Sequence, residues 1–446
     1  MNCVQKDKRY VWHPFTQMKD WIEGENIMIE RGEGVWLYDM SGKRYLDGVS
    51  SLWVNVHGHC RRELNEAVAE QMKKIAHTTY LGLGHPMASD LAQRLVEITP
   101  QGLQKVFYSD NGSTAMEAAV KIAYQYWKQK DNGKFSSKNK FVSFKEAYHG
   151  DTIGSVSLGG IDLFHEVYGG LLFDTYKIPY PYSYRFERDG IGCGDFCLDR
   201  LEEILNQRSE EIAGIVIEPE VQGASGMIMT PAGFMRGVSD LAKKYGVLLI
   251  CDEVAVGFGR TGEMFASDIE SIQPDIMAVA KSITGGYLPL AATLTTDEVF
   301  DAFLGDYSEK KTFFHGHTYT ANPLGCVAAI ANLDLFKKDN LIEKIKAVSL
   351  ESQSFLDKIS ELDHVGDIRH KGLMFGLELV KNKSTKKSYD WSEQIGVKVT
   401  NEARKHGVII RPLGNVVVMM PPLCISKEEL VYLMDAVYKS IKTVTG

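Results

Sequence analysis

Several things are missing from this chain, and each absence removes a class of function. No apolar run approaches the roughly 20 residues of a membrane span, so no membrane partner is expected. The stretch Met1-Asn2-Cys3-Val4-Gln5-Lys6-Asp7-Lys8-Arg9 is polar and lacks an apolar h-region. No signal peptide is therefore expected, and the expected location is the cytoplasm. The seven cysteines fall at irregular positions, which makes no disulfide framework and fits a reducing compartment. Cys193 and Cys197 are the closest pair, but no matching Cys or His pair lies nearby, so no metal site is expected. There is no basic patch: Lys and Arg are scattered and the net charge is −8, which argues against nucleic acid as a partner. Neither a Walker loop nor a dinucleotide fingerprint occurs. The chain carries no internal repeat and no low-complexity segment.

What is present is a globular composition, with 44% hydrophobic and 24% charged residues in 446, enough for a large core and two domains. The stretches Asn26–Glu30, Gly34–Asp39 and Lys43–Asp47 predict a small antiparallel meander, punctuated by Gly32, Gly34 and Ser41-Gly42. From Arg62 to Leu324 helical stretches alternate with short apolar strands. These are Val106–Tyr108, Phe141–Phe144, Ile215–Ile217, Val247–Cys251 and Ile276–Ala280. That alternation predicts an α/β fold with a mostly parallel sheet and helices on both faces. A helix is expected after Asn322-Pro323, then a smaller α+β unit with strands Gly376–Val380 and Val408–Ile410 and a final helix Lys427–Thr443. The expected division is an N-terminal segment 1–60 belonging to the small domain, a large cofactor-binding domain 61–330, and a C-terminal small domain 331–446.

The chemistry sits where predicted strands end. The apolar run Val247–Cys251 ends on Asp252-Glu253, and the run Ile276–Ala280 delivers Lys281. Ligands of open α/β sheets bind beyond the carboxyl ends of strands. A lysine held there beside apolar surface has a depressed pKa and can act as nucleophile or base. An acid after a wholly apolar strand needs a partner, and a protonated pyridine nitrogen is a suitable one. Asp110-Asn111-Gly112-Ser113-Thr114 joins a strand to a helix. It reads equally as a phosphate cradle or as an ordinary N-cap made by Ser113. Tyr148 at another strand exit can cover a planar ring, or can be an interfacial Tyr with its hydroxyl satisfied. Glu218-Pro219-Glu220-Val221-Gln222-Gly223 follows a further strand and offers carboxylates to a ligand, an arginine or a loop. In Phe314-His315-Gly316-His317-Thr318-Tyr319-Thr320, Thr318 suits a phosphate better than the two histidines suit a metal. Arg411 after a buried strand can clamp a carboxylate, or can form a surface ion pair. Together these features describe a site for pyridoxal 5′-phosphate: a cradle, a stacking ring, an acid, a lysine and an arginine.

The stretch Asp252-Glu253-Val254-Ala255-Val256-Gly257-Phe258-Gly259-Arg260-Thr261-Gly262, followed by Lys281, resembles the signature of class III PLP-dependent aminotransferases. The resemblance covers nearly the whole chain. It implies the PLP-dependent transferase fold type I, with a seven-stranded, mostly parallel sheet in the large domain. Trp12–Met18, Val54–His59, Tyr148–Thr152, His315–Tyr319 and Arg411–Gly414 resemble the branch that aminates 8-amino-7-oxononanoate in biotin synthesis. By resemblance Lys281 is the lysine joined to the cofactor aldehyde and Asp252 pairs with the ring nitrogen. Gly112 and Ser113 hold the phosphate, with His317 and Thr318 coming from the other subunit of a homodimer. Tyr148 stacks near the ring, Arg411 binds the substrate carboxylate, and Gly316, Trp53 and Arg260 border the substrate pocket. Members using S-adenosyl-L-methionine usually carry Tyr where this chain has Phe15 and Trp where it has Leu52. Some relatives with this more apolar pattern use L-lysine instead. The resemblance thus implies the keto acceptor more firmly than the amino donor, and other ω-aminotransferases of the class remain the nearest alternative.

Overall fold

The computed structural model describes residues 1–188 and 190–446. Its centre is a seven-stranded sheet built from β1 (Leu103–Ser109), β2 (Lys140–Phe144), β3 (Tyr176–Ile178), β4 (Ile212–Ile217), β5 (Leu248–Asp252), β6 (Ile276–Val279) and β7 (Ala291–Thr296). The spatial order is β1-β7-β6-β5-β4-β2-β3. Five strands from β3 to β6 run parallel, while β7 is antiparallel to both β6 and β1. The sequence reading lacked β3 and β7. The first is only three residues long, and the second, Ala291-Ala292-Thr293-Leu294-Thr295-Thr296, mixes small and hydroxyl residues rather than forming a bulky apolar run.

Why the middle strands read so clearly is evident from burial: every residue of β4, β5 and β6 is buried. A parallel strand covered by helices on both faces must be apolar throughout, because neither face meets water. In register, Asp252 lies beside Ala278, so β5 and β6 end almost level. The acid at the end of β5 and the lysine two residues past β6 therefore emerge at the same edge.

The remaining strands form separate small sheets. Ile29–Glu33, Trp36–Asp39 and Arg44–Asp47 make an antiparallel meander whose last strand pairs in parallel with Val408–Ile409. Val365–Lys371, Met374–Asn382, Val416–Met419 and Arg411–Leu413 make an antiparallel sheet. Met374–Asn382 runs into the lysine-rich stretch Lys381–Lys387, in which Asn382 pairs with Lys387, so that stretch is an exposed hairpin. Helix Lys427–Thr445 starts at a Ser426–Glu429 capping box and buries Leu430, Leu433, Met434, Val437 and Ile441. Helix Pro323–Lys338 starts at Asn322 and buries Cys326, Ala329, Leu333 and Phe336. Among the described residues no helix is long and apolar enough to cross a membrane.

Candidate active site

A cavity of about 500 Å³ opens beyond the carboxyl ends of the parallel strands. Residues at or beyond the ends of β2, β4, β5 and β6 all reach it: Tyr148, Glu218, Asp252 and Lys281. Gly112 and Ser113, from the turn after β1, close one end, and Leu52 and Trp53 form a wall.

The cradle is built by β1 and the helix α1 (Gly112–Gln129) that follows it. The N-cap is Asn111, not Ser113: its side-chain oxygen accepts from the Thr114 N–H at 3.1 Å. Asn caps this position better because its carbonyl reaches the third N–H while its own backbone stays extended, a contribution of about 1 kcal/mol. Ser113 lies inside the first turn instead, and its Oγ accepts from the Asp151 N–H at 3.0 Å. The N–H groups of Gly112 and Ser113 have no acceptor within the helix, as for any first turn. Two glycines keep the cradle open. A Cβ on Gly112 would come 2.6 Å from Val254 Cγ1, and one on Gly150, whose φ is +120°, would come 2.0 Å from Ser113 Oγ. Gly150→Ala is accordingly expected to weaken retention of an anionic cofactor by about tenfold or more, since strain of this kind costs ~1–3 kcal/mol. Equilibrium dialysis of the variant measures it.

The opposite end is charged. Asp252 is buried, its Oδ1 accepting from the Val254 N–H at 3.0 Å and its Oδ2 lying 2.7 Å from His149 Nδ1. Among the described residues His149 Nε2 is buried with no partner. Tyr148 donates its hydroxyl hydrogen to Asp151 at 2.8 Å, and burial raises its pKa. Burial lowers the pKa of Lys281, an effect only partly offset by Asp252 and Glu218. The Lys281 backbone has φ +47°, and its amine sits 4.8 Å from the centroid of the Trp53 ring. Trp53 Nε1 is also buried without a partner.

These features fit pyridoxal 5′-phosphate. The first-turn N–H groups and the glycine-opened cradle suit a phosphate, and the buried carboxylate suits a protonated ring nitrogen. The amine between them suits an aldehyde.

The wall has an unusual backbone. Ser50, Ser51, Leu52 and Trp53 all have positive φ, from +50° to +131°. Four such non-glycine residues in a row persist only where the surroundings hold them. Asp47 accepts from the Ser51 N–H and hydroxyl, and Ser50 donates to the Met420 carbonyl. Arg260 is the third fastening. Expected on the pocket border, its side chain is fully buried and is not among the residues lining the cavity. Its guanidinium donates to Ser50 Oγ, Ser282 Oγ and the carbonyls of Asn55 and Pro421. Four of its five N–H groups are thereby spent on protein atoms, two of them on Ser50 and Asn55, which flank the Leu52–Trp53 turn.

Other expected residues lie outside the cavity lining. Phe15, 56% exposed, packs edge-on against Phe164 at 5.4 Å, and Phe164 packs against Tyr148 at 6.3 Å. Phe164 thus links the N-terminal segment to the site, a role its sequence context did not signal. Arg411 is half-buried, with its pKa lowered by burial, and among the described residues it forms no salt bridge. Gly316 and Thr318 are exposed, and His317 Nδ1 lies 3.8 Å from Asp110 Oδ2. Among the described residues no group of three His, Cys, Asp or Glu could hold a metal.

The sequence profile of aminotransferase class-III matches residues 20–441. The chain belongs to this family. Among its class III relatives, the adenosylmethionine-8-amino-7-oxononanoate aminotransferase of Geobacter sulfurreducens is 56% identical over 443 residues, spanning 99% of this chain and 97% of that protein. The crystal structure of the enzyme of that name from Methanocaldococcus jannaschii superposes with a TM-score of 0.94 at 46% identity, covering 99% of this chain and 98% of that one. An (S)-enantioselective ω-transaminase from Thermomicrobium roseum superposes equally well, with a TM-score of 0.94, but at 36% identity, covering 99% and 98%. The class III backbone is thus shared between enzymes of different names, and it is sequence that separates them.

Proposed function

We propose that this class III aminotransferase uses pyridoxal 5′-phosphate to move an amino group onto 8-amino-7-oxononanoate, giving 7,8-diaminononanoate, with S-adenosyl-L-methionine as donor. One observation carries the chemistry: Asp252 and Lys281, at the ends of adjacent strands, line one cavity with the Gly112–Ser113 turn. The identity to the Geobacter enzyme supports the substrate.

When bound, the cofactor supplies an aldehyde for amines and a ring that accepts electrons. The side chains do the rest. Gly112 and Ser113 hold the phosphate at the start of α1. Asp252, steadied by His149, keeps a proton on the ring nitrogen. Tyr148 covers the ring. Lys281 Nζ, in its uncharged form, would take the proton from the amine-bearing carbon of the donor. Arg411, free of any carboxylate of its own, receives the substrate carboxylate.

The proposal includes a homodimer. Gly316 lies against Leu81, and Leu81, Leu83, Phe314 and Tyr319 are exposed. An apolar border of this kind suits a second copy, whose Gly316, His317 and Thr318 would complete the site. The division at about residues 60 and 330 is part of the same proposal, supported by the pairing of Arg44–Asp47 with Val408–Ile409.

One feature favours L-lysine as donor instead. Leu52, on the cavity wall, and Phe15, behind Phe164, offer no hydrogen bond to a polar donor. Single-turnover amination of the bound cofactor decides. S-adenosyl-L-methionine is expected to convert it at least about tenfold faster than lysine. Conversion by lysine alone would overturn the donor while leaving the acceptor intact.

A further inference from the structure

The carboxylate of Glu218 has no part in the chemistry above, yet it is buried in the cavity wall. It follows the last residue of β4, as Asp252 closes β5. Its two oxygens accept from two separate segments. Oε1 takes the Tyr148 N–H at 3.1 Å, and Oε2 takes the Gly223 N–H at 3.0 Å. Tyr148 belongs to the loop after β2, and Gly223 to the turn of a short hairpin, Val221–Gln222 with Ile228–Met229. Gly223 in turn abuts Trp53: a Cβ there would come 3.3 Å from the indole ring. Trp53 flanks the Lys281 amine. One side chain therefore ties the covering tyrosine to the tryptophan wall on which the reactive amine rests.

We infer that Glu218 is a positioning residue, which sets the distance between Tyr148 and the Gly223–Trp53 wall and so the alignment of the bound ring with Lys281. The inference rests on the aminotransferase reading. Burial of a carboxylate with only backbone donors is costly, so a purely structural anchor would be served as well by a neutral acceptor. The charged alternative matters here because the neighbours are charged. His149 and Asp252 face Glu218 from their own loops and strand, Lys281 from the end of β6, and Tyr148 and Tyr180 from the loops after β2 and β3. Burial, reinforced by Asp252 and opposed by His149, raises Glu218 to about 7. Its charge thus changes within the working range, beside the two groups that do the chemistry.

The test compares holoenzyme of Glu218→Gln and Glu218→Asp with the wild type. Bound cofactor per chain and the single-turnover rate with the wild type's own donor are measured on either side of pH 7. Glu218→Gln keeps one acceptor of two, so it is expected to retain cofactor and to lose roughly 10- to 100-fold in rate, as misalignment of this order does. The inflection of rate near neutrality should disappear with it, and Glu218→Asp should recover part of the rate. A rate within about twofold of wild type with the same pH profile overturns the inference, as does a loss that tracks lost cofactor alone. If Glu218→Gln does not fold, Gly223→Ala decides, because it moves the same wall from the other side. A roughly tenfold fall with cofactor retained supports the inference, and an unchanged rate overturns it. A wild type inert with every amine donor would instead overturn the aminotransferase reading.

Discussion

Lys281→Ala should bind pyridoxal 5′-phosphate without a covalent link and lose turnover by about 10²- to 10⁴-fold or more. Two functions vanish together: the amine that holds the aldehyde and the base that moves the proton. The environment argues for both. Burial lowers the lysine pKa, so the uncharged form exists at lower pH than for an exposed lysine. The left-handed backbone at Lys281 is the kind of local strain that persists where position matters. Alanine is smaller and leaves the apolar surroundings intact, so the fold should survive. The measurement is paired: absorbance for the loss of the lysine-linked band, and single-turnover kinetics for the rate. Substantial residual activity would refute Lys281 as the base.

Asp252→Asn should have the next largest effect, a loss of about 10²- to 10³-fold in the single-turnover rate. Asparagine fills the same space and can still accept from the Val254 N–H, so the strand end is kept. What disappears is the negative charge that favours a proton on the ring nitrogen. That charge is buried, and there a fixed charge is worth more than in solution. The His149 contact makes the effect visible in a second way. With the carboxylate gone, Nδ1 faces an amide, and Nε2 already lacks a partner. Titration of bound-cofactor absorbance should show the ring nitrogen deprotonating at lower pH in the variant. An unchanged titration would remove Asp252 from its role.

The parallel strands and their charged ends were legible because burial on both faces demands continuous apolar runs. Asp252 and Lys281 end such runs, and a buried acid or amine is costly unless it has a partner. The loop Asp110–Thr114 was legible as a helix start, but which side chain caps it was not. Both Asn111 and Ser113 are good caps, and only the backbone geometry assigns the role to Asn111. Strand β7 escaped because small residues pack tightly without a periodic bulky pattern. Arg260, placed on the pocket border by resemblance, is fully buried and donates to Ser50, Asn55, Ser282 and Pro421, partners that no local pattern signals.

Local sequence, then, decided the buried parallel strands and the charged residues Asp252 and Lys281 at their ends, since these follow from continuous apolar runs and from the cost of burying a charge. Tertiary structure alone decided that Glu218 joins Tyr148 to the Trp53 wall and that His149 backs Asp252. It also decided that Phe164 carries Phe15 toward the site and that Arg260 turns inward. Those relations connect residues from about 70 to more than 200 positions apart. No local pattern encodes such a pairing, because it is made only when separate strand ends and loops meet at one edge of the sheet.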